Sequence, residues 1–292
     1  MSMTPDLDHL RGWVGRGEAL EDRCDAVRVR QLAASLDLDP APFADGAELP
    51  PLWHWIFATP LSLLREAGPD GHPARGGFLP PVPLPRRMWA GSQFEWLRAP
   101  RLGQPLRRDS IVESVDMKQG RSGTLVFVNV QHEWRSGAAL LMREGQDIVY
   151  RGAPPAARAK PSPPAAGPVW REPLGTNPAR CALVPNDVLL FRYSALTFNS
   201  HRIHYDRRYC LEAEGYPGLV VHGPLMATVM ATLAWLQAGR RMPRSFNFRA
   251  QAPVFDGEEI MVHAAADKSS TRTEVRKADG TVAQSGEMRW EQ

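Results

Sequence analysis

Ten residues, 197–206, read TFNSHRIHYD and gather two histidines, an asparagine, an arginine and an aspartate. Imidazole is the side chain that titrates near neutrality, so His201 and His204 are candidates to move a proton. The Asn199 carboxamide can hold a water molecule but cannot act as a base. A polar cluster this dense, placed directly after the apolar run 188–191, points to proton-transfer chemistry. A plainer local reading competes with it: Asn199 caps a turn, Asp206 caps the next helix, and the histidines lie on the surface. Downstream, residues 215–225 read GYPGLVVHGPL. Pro224 suits a first helical turn because it lacks an amide hydrogen. Gly223 then offers a bare backbone N–H at the positive end of a helix dipole, where charge developing on a thioester oxygen would be stabilised.

The elements that must position these groups can be traced along the chain. Residues 222–238 are rich in Leu, Met and Ala and end at Gly239, which predicts a long helix. Four strands are expected after it, at 244–251, 259–266, 270–277 and 282–290, separated by Asp-Gly turn signals. Before it, 185–192 reads as a strand, with short helical turns at 194–200 and 207–214. The first half has a helical patch at 28–36 and long strand-like runs at 88–97, 108–118, 124–134 and 139–150. Helix followed by antiparallel strands, twice over, argues for an α+β fold in two halves. A proline-rich stretch makes a semi-rigid connector, which divides the chain into residues 1–152, a linker at 153–169, and residues 170–292. Residues 50–85 are also heavy in proline, so the first half's expected central helix is poorly written. The second half is therefore expected to keep the chemistry, and the first to bind or support.

Composition narrows the class. The 292 residues carry 35 basic and 32 acidic side chains, a formal net charge of +3, which is too even for nucleic-acid binding. The paired arginines 86–87, 107–108, 207–208 and 240–241 are compatible with a phosphate-bearing ligand or with a solvated surface. Cys24, Cys181 and Cys210 are odd in number and widely spaced, so neither a disulfide framework nor a zinc site is expected. Without an apolar leader or an apolar run of ~18 residues, a soluble cytoplasmic protein is expected, and Asp6 and Asp8 argue against a mitochondrial transit peptide. No metal or redox cofactor is required by these residues, and no phosphate-cradling glycine loop is present. Trp53, His54 and Trp55, in the proline-framed PPLWHWIF, read as core aromatics or as a wall of an acyl pocket.

TFNSHRIHYD followed by EGYPGLVVHGPL resembles the MaoC-like hydratases and dehydratases. The likeness is closest to the branch of mitochondrial hydroxyacyl-thioester dehydratase type 2 and the bacterial mesaconyl-CoA and itaconyl-CoA hydratases. LPPLWHWI, GGFLPPVPLP, RMWAG and RSGTLVFVNV in the first half match that branch as well. The resemblance implies a double hot-dog fold, antiparallel sheets each wrapping a central helix, and water addition to or removal from an acyl-CoA thioester without a cofactor. It puts the catalytic histidine at His204, the oxyanion donor at the Gly223 amide, and Asn199 where the wider family has an aspartate. His201–Arg202 replaces the family's Asn-Pro. Those departures put a two-residue Asp–His mechanism in doubt; the repair is that His204 handles the proton while Asn199 holds the water, or that Asp206 supplies the negative charge. Arg202 and Arg87 are candidates for an acyl carboxylate or the CoA phosphates, with His222, Trp53 and Trp55 also lining the substrate. A homodimer or a monomeric double hot-dog is expected, with no nucleic acid or membrane partner. Competing functions are a fatty 3-hydroxyacyl-thioester dehydratase, a hot-dog thioesterase, and a non-catalytic acyl-CoA-binding module.

Overall fold

A computed structural model describes residues 5–120, 123–152, 161–164 and 167–290. The first half runs α1 (Leu7–Arg11), β1 (Gly17–Arg23) and α2 (Ala26–Ser35), followed by a long irregular segment holding the 3-10 turns Trp53–Ile56 and Leu64–Glu66. Strands β2 (Arg86–Trp96), β3 (Pro105–Gly120), β4 (Gly123–Ser136) and β5 (Ala139–Arg151) complete it. The second half runs β6 (Trp170–Glu172), β7 (Arg180–Leu183), α3 (Asp187–Leu196), the 3-10 turn Arg202–His204 and α4 (Arg207–Tyr209). A π-helical turn, Cys210–Glu214, leads to α5 (Gly223–Gln237) and the strands β8 (Ser245–Ala250), β9 (Ile260–Ala266), β10 (Ser270–Lys277) and β11 (Val282–Arg289).

All eleven strands join one antiparallel sheet in the order β1-β3-β4-β5-β2-β8-β11-β10-β9-β7-β6. The seam between the halves is β2 against β8, from Gly91↔Arg249 to Glu95↔Ser245. Gly91 is needed there, because a Cβ at that position would lie 2.5 Å from the Phe248 carbonyl oxygen. Phe94, Phe246 and Phe248 stack across the seam with ring centroids 6.0–6.5 Å apart. Alternation sets which face is buried: in β4, Val126, Val128, Val130, His132 and Trp134 point inward in turn.

Helix α5 is apolar all round and lies along β9, β10 and β11, as the central helix of its half. In the first half α2 packs against α3 and the turn Trp53–Ile56, and side chains of both enter the same core as α5. The strands at 88–97, 108–118, 124–134, 139–150 and the last four were legible within one to three residues. The strand expected at 185–192 is instead α3. The Asn186 side chain accepts from the Leu189 amide, and Leu189, Leu190, Tyr193 and Ser194 recur inward at helical spacing. A short apolar run cannot by itself distinguish a buried strand from a buried helix. Strands β1, β6 and β7 were not foreseen. Most of the expected linker lies outside the described residues; within 161–164, the Ser162 amide donates to the Pro217 carbonyl. Among the described residues, no helix is long and apolar enough to cross a membrane.

Candidate active site

The motif 197–206 leaves α3 through a tight reversal. Thr197 Oγ1 donates back to the Tyr193 carbonyl at 2.7 Å, Phe198 takes φ 51°, and the Asn199 amide donates to the Ser194 carbonyl at 2.8 Å. Asn199 Oδ1 then accepts from the His201 amide at 3.0 Å. This caps the next turn with the oxygen of the carboxamide that was expected to hold water. Asp206 caps α4 by accepting from the Tyr209 amide at 2.9 Å, and its other oxygen accepts from Arg202 Nη2 at 2.7 Å. Both Asp206 oxygens are thereby occupied, so its substrate-facing reading gives way to the capping one. Arg202 is spent as well: it donates to the Pro69 carbonyl at 3.0 Å and lies 4.3 Å over the Tyr209 ring.

Four imidazoles form a chain of contacts at the mouth of α5. His204 and His222 stack with centroids 3.6 Å apart and planes at 17°. His201 meets His204 edge-on at 5.5 Å and meets His72, from the other half, at 4.0 Å. His204 Nδ1 lies 2.7 Å from the Val220 carbonyl oxygen. A carbonyl only accepts, so Nδ1 carries the hydrogen and Nε2 presents a lone pair. Burial pushes the His204 imidazole down to about 4, so it is neutral and able to accept a proton at neutral pH. His222 Nε2 is 2.8 Å from Ser194 Oγ, while its Nδ1 has no partner among the described residues. Burial holds His222 well below its ordinary value. A Cβ built on Gly223 would meet no atom within 4 Å, so the first turn of α5 opens onto free space beside these rings. With Pro224 next in the helix, the N-terminal amides there are available to an oxyanion.

The first half reaches this site through the loop 68–74. Ser200 Oγ donates to the Gly71 carbonyl at 2.5 Å, and the Arg202 amide donates to the Asp70 carbonyl at 2.9 Å. Asp70 accepts from His72 twice, from the backbone amide at 3.0 Å and from Nδ1 at 3.1 Å. These hydrogen bonds hold the Asp70 carboxyl well below the usual carboxylate range. The donor atoms of Asp70, His72 and His201 lie within 4.8 Å of one another, near enough to grip a divalent cation. The Asp70–His72 hydrogen bond and the 4.0 Å ring contact of His72 with His201 already hold these three together. Sequence reading missed Asp70 and His72, because an Asp-Gly-His inside a proline-rich loop has no periodicity and its partners are about 130 residues away.

Of the remaining expected residues, Arg87 lies on β2 opposite Tyr150, and its positive charge helps to depress His72 and His201. Arg75 also faces His72, but its donors are committed to the carbonyls of Val82, Leu84 and Pro85. Trp53 is fully buried against Phe43 and donates to Thr232 Oγ1 at 3.0 Å, so it is a core aromatic. Trp55 is half-buried and donates to Glu144 at 2.9 Å. His54 lies 3.2 Å from the same buried carboxylate. A surface groove lined by Gln93, Glu113, Gln131 and Asp147 among others has no imidazole in its wall. All three cysteines are buried, and burial pushes each thiol up to about 12, which leaves no thiolate for nucleophilic chemistry.

With this geometry in view, comparisons with known proteins converge. Residues 52–256 match the family of hydroxyacyl-thioester dehydratase type 2. Mesaconyl-C(4)-CoA hydratase of Chloroflexus aurantiacus is 44% identical over 276 residues, covering 93% of this chain and 94% of that one. A MaoC-like dehydratase from Phytophthora capsici superposes with a TM-score of 0.67 at 16% identity, covering 99% of this chain and 98% of that one. A Mycobacterium tuberculosis protein described as a double hot-dog superposes with a TM-score of 0.56 at 12% identity, over 94% and 95% of the two chains. The fold is thus the double hot-dog expected from the motifs.

Proposed function

The chain belongs to the hydroxyacyl-thioester dehydratase type 2 family, and from that membership we propose that it hydrates a short dicarboxylic enoyl-CoA of the mesaconyl type, or catalyses the reverse dehydration. It is an enzyme of the acyl-CoA hydratase/dehydratase class. The observation that carries the reaction type is His204, neutral, with Nδ1–H fixed on the Val220 carbonyl and Nε2 free at the mouth of α5. Water gives a proton to His204 Nε2 as its oxygen bonds to Cβ. The displaced electron pair moves toward the thioester oxygen, where the Gly223 amide meets it, and the imidazolium then returns its proton to Cα. One base and one preorganised donor suffice, and each is typically worth on the order of 10²–10³ or more in rate.

A thioesterase fits less well. The Ser194–His222 pair has the spacing of a nucleophile and base, but no carboxylate orients His222 among the described residues. The division at residues 153–169 gives the base and the oxyanion donor to the second half, and acyl-pocket support to the first. Arg87 supports the dicarboxylate reading, because a carboxylate drawn into the site needs a cation beside it. Wild-type turnover of mesaconyl-CoA should exceed that of crotonyl-CoA, and Arg87→Met should erase most of that preference. A wild-type enzyme that favours crotonyl-CoA or a long 3-hydroxyacyl chain would replace this reading with the fatty-acid type.

A further inference from the structure

The reaction needs water held from two sides. One hydrogen must face the base, and the other must be anchored so that the oxygen lone pair points at Cβ. In the motif, the side-chain oxygens of Asn199 and Asp206 already accept hydrogen bonds from the chain itself, Asn199 Oδ1 from the His201 amide and Asp206 from Arg202 and the Tyr209 amide. The imidazole of His201 makes ring contacts alone among the described residues, which leaves its tautomer unassigned.

His72 is placed differently. Asp70 Oδ2 accepts from its Nδ1 at 3.1 Å, and a carboxylate cannot donate, so His72 carries its hydrogen on Nδ1 and presents a lone pair at Nε2. His204 has the same local arrangement, with the Val220 carbonyl in place of the carboxylate. The two rings flank His201, at 4.0 and 5.5 Å from its centroid, and are close enough for His72 to act electrostatically on His204. The loop that carries His72 is docked on the motif through the Gly71 carbonyl to Ser200, the Asp70 carbonyl to Arg202, and the Pro69 carbonyl to Arg202. We infer that His72, contributed by the first half, is a further catalytic residue that accepts the second hydrogen of the attacking water, and that Asp70 is its positioning residue.

The assignment rests on the hydratase reading and completes it. His72 makes and breaks no bond: the water proton still goes to His204 and returns to Cα, and His72 keeps its own hydrogen throughout. Asp70 acts only by fixing the tautomer and the plane of the ring. The first half is then part of the catalytic machinery as well as a support for it, and the site exists only where the two halves meet.

The test is steady-state hydration by the full chain, with Tm and the affinity for a saturated acyl-CoA measured alongside. His72→Ala and His72→Gln should each lower kcat by on the order of 10²-fold, with KM and saturated-ligand affinity changed less than about threefold. Asp70→Ala should lower kcat by about tenfold or more at unchanged KM, and Asp70→Asn, whose amide oxygen can still accept from Nδ1, by less. Added imidazole should restore part of the turnover of His72→Ala, which a purely structural role would not allow. Wild-type levels of kcat in both His72 variants would overturn the inference, as would a loss confined to KM. So would loss of wild-type activity to a chelator, which would give the trio to a metal ion. A wild-type chain that hydrates no enoyl-CoA would instead defeat the hydratase reading itself, so the two failures are distinguishable.

Discussion

Gly71→Ala should uncouple the two halves of the site while leaving the fold in place. Gly71 has φ +87°, and a Cβ there would lie 1.9 Å from the Ser200 carbonyl oxygen and 2.9 Å from its carbonyl carbon. An ordinary contact begins near 3.4 Å, so the loop must retreat by about 1.5 Å, against backbone rather than against a movable side-chain end. That retreat strains or breaks the bonds from Ser200 Oγ to Gly71 and from the Arg202 amide to Asp70. At about 0.5–1.5 kcal/mol for each bond and about 1–2 kcal/mol for the left-handed backbone, the variant should lose on the order of 2–5 kcal/mol. In a chain of this size that lowers Tm by roughly 3–8 °C, which thermal unfolding followed by circular dichroism reads directly. A misplacement of ~1 Å near the reacting atoms costs about 10²-fold, so kcat at 25 °C should fall to roughly one hundredth in protein that is still folded. Gly77→Ala is the control in the same loop, because a Cβ there meets nothing within 4 Å. If Gly71→Ala kept wild-type turnover and Tm, the docking of this loop on the motif would be wrong.

Further outcomes follow from the same geometry. His204→Ala should lower turnover by on the order of 10²–10⁴ while the fold survives, and a variant retaining more than a tenth of wild-type kcat would remove His204 from the base role. The selectivity of Arg87→Met, read as the ratio of kcat/KM on mesaconyl- and crotonyl-CoA, should fall at least tenfold, whereas equal losses would assign the arginine to the CoA or the fold. Glu144 is fully buried and accepts from Trp55 at 2.9 Å and Trp134 at 3.1 Å, with His54 at 3.2 Å; these partners outweigh burial and bring it from 4.5 down to about 2. A carboxyl lowered in the folded state stabilises fully above its unfolded value and loses that contribution as pH falls from about 4.5 toward 2, here on the order of 3 kcal/mol. Glu144→Gln should therefore be markedly less stable than wild type at pH 7, with the gap closing by pH 2–3 in denaturant unfolding; a gap independent of pH would refute the linkage.

What could be read from the sequence was local. The later strands and the helix at 222–238 follow from periodicity and turn signals, whereas the roles of His204 and Gly223 rest on the family resemblance. The α3 segment was misread because the four apolar residues 188–191 fit a buried strand as well as a helix, and only the Asn186 cap and the inward spacing of Leu189, Leu190 and Tyr193 separate the two. Trp53 and Asp206 took the plainer of their two readings, core and cap, because each finds its hydrogen-bond partner within the fold. Asp70 and His72 were invisible for a different reason. Their place beside His201 depends on the β2–β8 seam and on the docking of a proline-rich loop, and neither leaves a period or a spacing along the chain.

The central claim is most directly tested by following one enoyl-CoA through both of its reactive bonds. Purified chain is mixed with mesaconyl-CoA, and enoyl-thioester absorbance and free thiol are recorded together. The account predicts that the absorbance falls while no thiol is released, and that the product gains one oxygen from labelled water while keeping its thioester. Thiol released in step with the absorbance change would make the protein a thioesterase, and an unchanged substrate across a panel of CoA thioesters would make it a binding module.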